Sequence, residues 1–153
     1  MRLKAHVASS AVFGIILYFI FRSISLSLAA FLSGFLIDLD HVLECYINYG
    51  RKFNIWKTIE TCESFELKKA HLFLHSYELV LIYSALVCWL GLGPIWYGVS
   101  IGLAFHIILD AVFNQYHPNG LFFLARYMRK FEYHRIVDIS AAQAKKKQQS
   151  KRK

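Results

Sequence analysis

The sequence predicts an all-α fold, a polytopic membrane helical bundle of about four transmembrane helices with short interfacial helices. Two observations carry this. Hydrophobic residues make up 56% of the 153 residues and charged residues 18%, against about 45–50% and about 25% in ordinary soluble domains. The excess is also not spread evenly: it falls in four blocks, at 3–21, 24–37, 70–92 and 94–113, separated by charge.

Each block except the second approaches the ~20 residues that cross a hydrocarbon core as a helix. The second reaches that length only if Asp38-Leu39-Asp40-His41 still lies at membrane depth or the bilayer adapts to it. The start, MRLKAHV before an apolar run, also resembles a secretory signal with a cleavage site at Ser27-Leu28-Ala29. Against that, the apolar run resumes at once with FLSGFLI and no soluble domain follows. Between the third and fourth blocks, Gly91-Leu92-Gly93-Pro94 predicts a tight turn, since Gly ends one helix and Pro opens the next. The segment 42–69 mixes aromatics (Tyr46, Tyr49, Phe53, Trp56, Phe65) with both signs of charge, a pattern for helix lying at the lipid interface. LFFLARYMRKFEYHRI, at 121–136, reads the same way. The domain plan is thus a membrane-embedded helical domain over 1–140 and a basic, disordered cytoplasmic tail over 141–153, suited to anionic lipid head groups. Nucleic acid is the weaker reading of that tail, because no recognition motif or stacking platform accompanies it.

Topology follows from the basic residues, which are retained on the cytoplasmic side. With four spans, seventeen of the eighteen Lys and Arg residues share a side with both termini and only Arg22 lies opposite. The expected location is therefore the inner or plasma membrane, with both termini cytoplasmic. Cys45, Cys62 and Cys88 have no CxxC spacing and form neither a disulfide framework nor a zinc knuckle.

This topology assigns depth to the ionisable residues. His6 begins the first helix on the cytoplasmic side, Asp38, Asp40 and His41 end the second, His71, His75 and Glu78 open the third, and His106 and Asp110 lie near the end of the fourth. His106 and Asp110 are the sharpest pair: they stand four apart in the otherwise apolar GLAFHIILDAVF, so one helical face carries both. An ionisable residue inside a membrane helix is costly and faces a partner or a cavity. The alternatives are a shared ion or a His–Asp hydrogen bond that merely ties helices together. His71, His75 and Glu78 at i, i+4 and i+7 predict a second such face, with surface histidines and a snorkelling Glu as the plainer reading. Asp38 and Asp40 predict a loop that turns both carboxylates inward, or else solvated acids at a helix end. His6 alone reads as an interfacial histidine.

Histidine nitrogens mixed with carboxylates suit a divalent metal, and a cysteine-poor set excludes a closed structural zinc site. The ligands expected are Asp38, Asp40, His75, His106 and Asp110, with His6 and His71 as further candidates. His41 and Glu78 would serve as acid/base or orienting groups.

The order His6, then GFLIDLDH from Gly34 to His41, then His75-Ser76, then HIILD from His106 to Asp110 resembles the small inner-membrane-bound metal-dependent hydrolases sometimes labelled LexA-binding. The match spans 6–117. It departs at Ile37, where that family usually has Pro, and at HLFLHS, which puts His71 out of register. The resemblance implies a fold distantly like zinc-dependent phospholipase C and hydrolysis of a phosphoester, either a small molecule or a membrane lipid; the ligand types themselves suit zinc, manganese or iron, with zinc or manganese the expected cofactor. Phosphatidic-acid-phosphatase-like enzymes also use His-x-x-x-Asp, but their other motifs are missing here. The rival functions are a metal-ion carrier and a non-catalytic membrane scaffold with a degenerate metal site.

Overall fold

A computed structural model of the chain describes residues 3–50 and 68–141. The described residues are helical: α1 (Leu3–Phe21), α2 (Ile24–Leu36), α3 (Leu39–Tyr49), α4 (Tyr77–Trp89), α5 (Pro94–Phe113), α6 (Phe123–Met128) and a 3-10 turn at Tyr133–Arg135. Among them there is no strand, only single antiparallel pairings of Lys69 with Glu132 and Tyr116 with Val137. Three stretches are long and apolar enough to cross a membrane: Lys4–Phe21, Ile24–Asn48 and Pro94–Phe113. The chain divides into two compact units, one drawn from Met1–Leu39 and Leu74–Phe113, the other from Asp40–Phe73 and Asn114–Lys153.

The first unit is built for lipid. Its outer surface carries Ile15, Phe19, Ile20, Ile24, Leu81, Trp89 and Ile108, each more than half exposed. The buried positions instead include Ser10, Ser27, Ser100, His6, His75, His106 and Asp110. Lipid offers no hydrophobic drive to bring helices together, so close backbone approach must do it, and small residues permit that approach. A Cβ on Gly98 would strike the Leu26 carbonyl, and one on Gly102 would strike Ser33 Oγ and the Ala30 carbonyl, so α2 and α5 touch backbone to backbone. Ser10 on α1 packs in the same way against Gly34 on α2. Ser33 Oγ also donates to Val99 O at 3.3 Å. Gly102→Ala should therefore force α2 from α5 and cost about 1–3 kcal/mol. Thermal unfolding in detergent would read this, and an unchanged midpoint would contradict the close approach.

The turn between α4 and α5 forms as expected. Gly91 has φ +59°, its N–H donates to Cys88 O at 3.2 Å, and Leu92 N–H donates to Val87 O at 3.1 Å. This pair of bonds closes a helix on a left-handed glycine. Two other expectations are corrected. The third apolar block, read over 70–92, forms helix only over Tyr77–Trp89. These 13 residues are about 20 Å long, short of the ~30 Å hydrocarbon core. Ser76 starts that helix by accepting the Leu79 N–H at 3.2 Å. His71 and His75 thus precede it, and they share no helical face with Glu78. The loop read at Asp38–His41 shrinks to a turn at Ile37 and Asp38, because Asp40 and His41 already belong to α3. The helix breaks there without the proline that the family resemblance would supply.

In the second unit a small core of Cys45, Ala70, Leu72, Tyr133, Ile136 and Val137 forms around α3. One carboxylate organises it. Glu44, buried on α3, accepts from the backbone N–H groups of His71 and Leu72 at 2.7 and 2.9 Å, pairs with His71 Nδ1 at 3.0 Å, and accepts from Asn48 Nδ2 at 2.8 Å. Leu72 has φ +43°, a left-handed conformation that disfavours a side chain, and its carbonyl accepts from Arg126 Nη1 at 2.9 Å. Within the 121–136 stretch read as interfacial, helix forms over Phe123–Met128 and Arg126 is fully buried. Leu124, Tyr127 and Met128 in the same segment are exposed, as an interfacial helix requires. Most of the segment expected to be interfacial at 42–69, and the basic tail beyond Ala141, lie outside the described residues.

Candidate metal centre

Five of the residues singled out by sequence meet at one end of the first unit. Each is delivered by a helix end: His6 by the first turn of α1, Asp38 by the turn closing α2, His75 by the residues leading into α4, and His106 and Asp110 by the last turns of α5. His75 Nε2 lies 3.7 Å from Asp38 Oδ1 and 3.9 Å from Asp110 Oδ2, and His106 Nε2 lies 3.5 and 3.6 Å from the same two oxygens. A tetrahedral zinc with ligands at about 2.0–2.2 Å has ligand–ligand edges of about 3.3–3.6 Å. Each of these four nitrogen–oxygen separations is thus close to such an edge or slightly longer. On the far side, Asp110 Oδ1 lies 3.1 Å from His6 Nε2, and the His6 ring stacks on His106 with centroids 4.3 Å apart. His6, His106 and Asp110 offer ligand atoms that all fall within 4.8 Å of one another.

The hydrogen bonds fix which atoms carry lone pairs. His106 Nδ1 lies 2.7 Å from the Gly34 carbonyl oxygen. A carbonyl only accepts, so Nδ1 carries a proton, and when the ring is neutral its Nε2 presents a lone pair toward the two carboxylates. Among the described residues, His106 Nε2 and both Asp110 oxygens are buried and have no hydrogen bond. Lone pair facing lone pair in a space closed to water is costly, and a cation between them removes the cost. These groups could therefore hold a divalent metal.

No family model, curated protein or solved structure matches the chain. The site is accordingly read from its own residues.

The remaining candidates are carried by α3, by α4 and by the segment before α4. Asp40 and His41, buried and half-buried, sit in the first turn of α3, and His71 pairs with Glu44; all three belong to the second unit. Glu78 is half-buried in the first turn of α4, where its charge is favourable to the helix dipole. Cys45 lies in the second unit's core and Cys88 is exposed on α4, neither in a disulfide. His6, weighed from sequence both as an interfacial histidine and as a further ligand candidate, is buried at the site. The sequence reading passed over Glu44 and Ser10. Glu44 stands four residues after Asp40 in α3, the spacing that could have marked it. Ser10 stands four after His6, on one face of α1, and its hydroxyl is buried without a hydrogen bond among the described residues.

Proposed function

We propose that the chain is a membrane-bound metal-dependent hydrolase that holds a divalent cation, zinc or manganese, through His75, His106, Asp38 and Asp110 and cleaves a phosphoester such as that of a lipid. The observation that carries this is the His106 tautomer: Gly34 claims its Nδ1 proton, and Nε2 faces two carboxylates across 3.5 and 3.6 Å. Two neutral imidazoles and two carboxylates together bear two negative charges, which a divalent ion cancels, leaving the buried centre neutral. When bound, such an ion polarises a phosphoryl oxygen and makes water at the site acidic. The protein's own part is orientation. Gly34 holds the His106 ring, the turn at Ile37 aims Asp38, and Ser76 stops α4 from absorbing His75 into the helix.

The hydrolase class and the phosphoester substrate rest on the resemblance to the inner-membrane hydrolases. The sidedness rests on sequence alone: on a four-span reading, seventeen of eighteen Lys and Arg residues share a side with both termini, which assigns both termini to the cytoplasm of an inner or plasma membrane. A carrier would need polar groups open through the rest of the bundle. The hydroxyls of Ser27, Ser33 and Ser84 instead bond to carbonyls one turn back on their own helices, at 2.9, 2.8 and 2.7 Å. That favours a one-sided site.

The test is metal content beside product release from a panel of phosphoesters, including phospholipids in detergent and bilayers. Wild type should hold metal and turn over at least one substrate; His106→Ala should lose both. Metal without turnover on any substrate would remove the enzyme reading and leave the site.

A further inference from the structure

We infer that the bundle thins the bilayer beside α4, so that the phosphate layer of the leaflet at the site end comes down to the metal centre and the phosphoester taken is that of a lipid still in the membrane. This rests on the reading of the site above. The opposite rim of the first unit is well defined. Arg22 is exposed in the turn between α1 and α2, and a charge there belongs outside hydrocarbon. Trp89, 82% exposed, and Trp96, also exposed, flank the turn at Gly91, as tryptophans do at a membrane interface. From that shared rim α5 runs to Phe113 but α4 only back to Tyr77, which is about 30 Å against about 20 Å. The residues leading into α4 are not helical and are not covered, since Leu74 is 44% exposed. Lipid-exposed irregular backbone does not occur inside hydrocarbon. Beside α4 the hydrocarbon therefore ends near Ser76, about 10 Å short of the end of α5.

The metal centre lies at that same level. From the rim, about 18 Å leads along α5 to His106 and about 24 Å to Asp110, while about 21 Å leads along α2 to Asp38. His75 stands among the non-helical residues just before α4. In a bilayer with the usual ~30 Å core, a lipid phosphate would ride well above these groups. A core shortened by about 10 Å beside α4 sets the phosphate level with them. Lipid is the cover that α4 fits: Leu81, Ile82 and Trp89 on it are exposed and apolar, and its neighbour α5 has the length and composition of a membrane span. A short apolar helix draws the bilayer thinner at a modest cost per ångström, offset here by keeping the turn before α4 out of hydrocarbon.

The experiment places the full chain, loaded with manganese and freed of unbound metal, in bilayers of dimyristoleoyl, dioleoyl and dierucoyl phosphatidylcholine, whose acyl chains lengthen in that order. Phosphorus hyperfine coupling at the manganese is read by electron–nuclear double resonance, and the thermal unfolding midpoint by loss of helix. Coupling should be present in dimyristoleoyl bilayers and lost in dierucoyl bilayers, and the midpoint should fall as the chains lengthen. Retained manganese with no phosphorus coupling in any bilayer would overturn the inference and leave the metal site intact. Coupling from glycerol phosphate in lipid-free detergent, with none from lipid, would make the substrate a soluble one and overturn it too. A midpoint that is unchanged across the series, or highest in dierucoyl bilayers, would show that the bundle is not fitted to a thin membrane. Cross-linking between copies that is lost in Cys88→Ser, at a position exposed on α4, would show that protein covers that helix, against the inference. No manganese in wild type would remove the metal site and this inference with it.

Discussion

Replacing Asp110 by Asn should strip the metal from the protein and leave the bundle folded. The side chain keeps its shape and can still hydrogen-bond, so the helix packing around Gly98 and Gly102 is untouched. The charge is what disappears. Asp110 Oδ2 is one corner of the four-atom cluster and Oδ1 is the group nearest His6, so one substitution alters both contacts. It also halves the negative charge facing the ion. Losing a group that only orients a ligand costs about 10–100-fold in metal affinity, so losing the charged ligand itself should exceed about 100-fold. Metal analysis after gel filtration, beside circular dichroism for helix content, reads both halves of the expectation. Full occupancy in Asp110→Asn would mean that Asp110 is no essential ligand, and the resemblance to the hydrolase family would lose its best residue.

The second large effect belongs to the other unit. Glu44→Ala should destabilise it by about 3–5 kcal/mol, since hydrogen bonds to a charged group each contribute about 1.5–3 kcal/mol and the donors left behind are buried. The backbone N–H groups of His71 and Leu72 would lose their acceptor, and Leu72 would lose half of the clamp that holds it at φ +43°. Glu44→Gln, with the same shape, should cost less but not nothing, because its amide N–H₂ must face one of those N–H groups. Hydrogen exchange at residues 70–72 is the direct measurement: a loss of about 3 kcal/mol speeds exchange by roughly 100-fold. Unchanged protection in Glu44→Ala would show that the segment is held by something other than this carboxylate.

The parts of the site legible in the sequence were those encoded by spacing within one helix or by position at a helix end. His106 and Asp110 announce themselves as two polar residues four apart in an apolar run. Asp38 does so by ending the second apolar block. The turn at Gly91 was legible because a left-handed position selects glycine locally. What was not legible depends on partners distant in the chain. The helix expected through His71 and His75 fails because Glu44, 27 and 28 residues away, takes the N–H groups that a helix would need, and because Ser76 caps a later start. His6 looked isolated because nothing near it in sequence is acidic; Asp110 reaches it only through the packing of α1 against α2 and α5. Arg126 sits in a pattern that predicts exposure, and it is buried because the Leu72 carbonyl lies within its reach.

The proposed function requires two histidines and two aspartates around one cation. Zinc K-edge X-ray absorption on full-length protein loaded with a single equivalent of zinc tests it most directly. The expected result is about four nitrogen or oxygen neighbours at about 2.0–2.1 Å, with the outer-shell scattering of two imidazoles and no sulfur at about 2.3 Å. A sulfur neighbour, an absence of imidazole scattering, or zinc that washes away from the folded protein would contradict it.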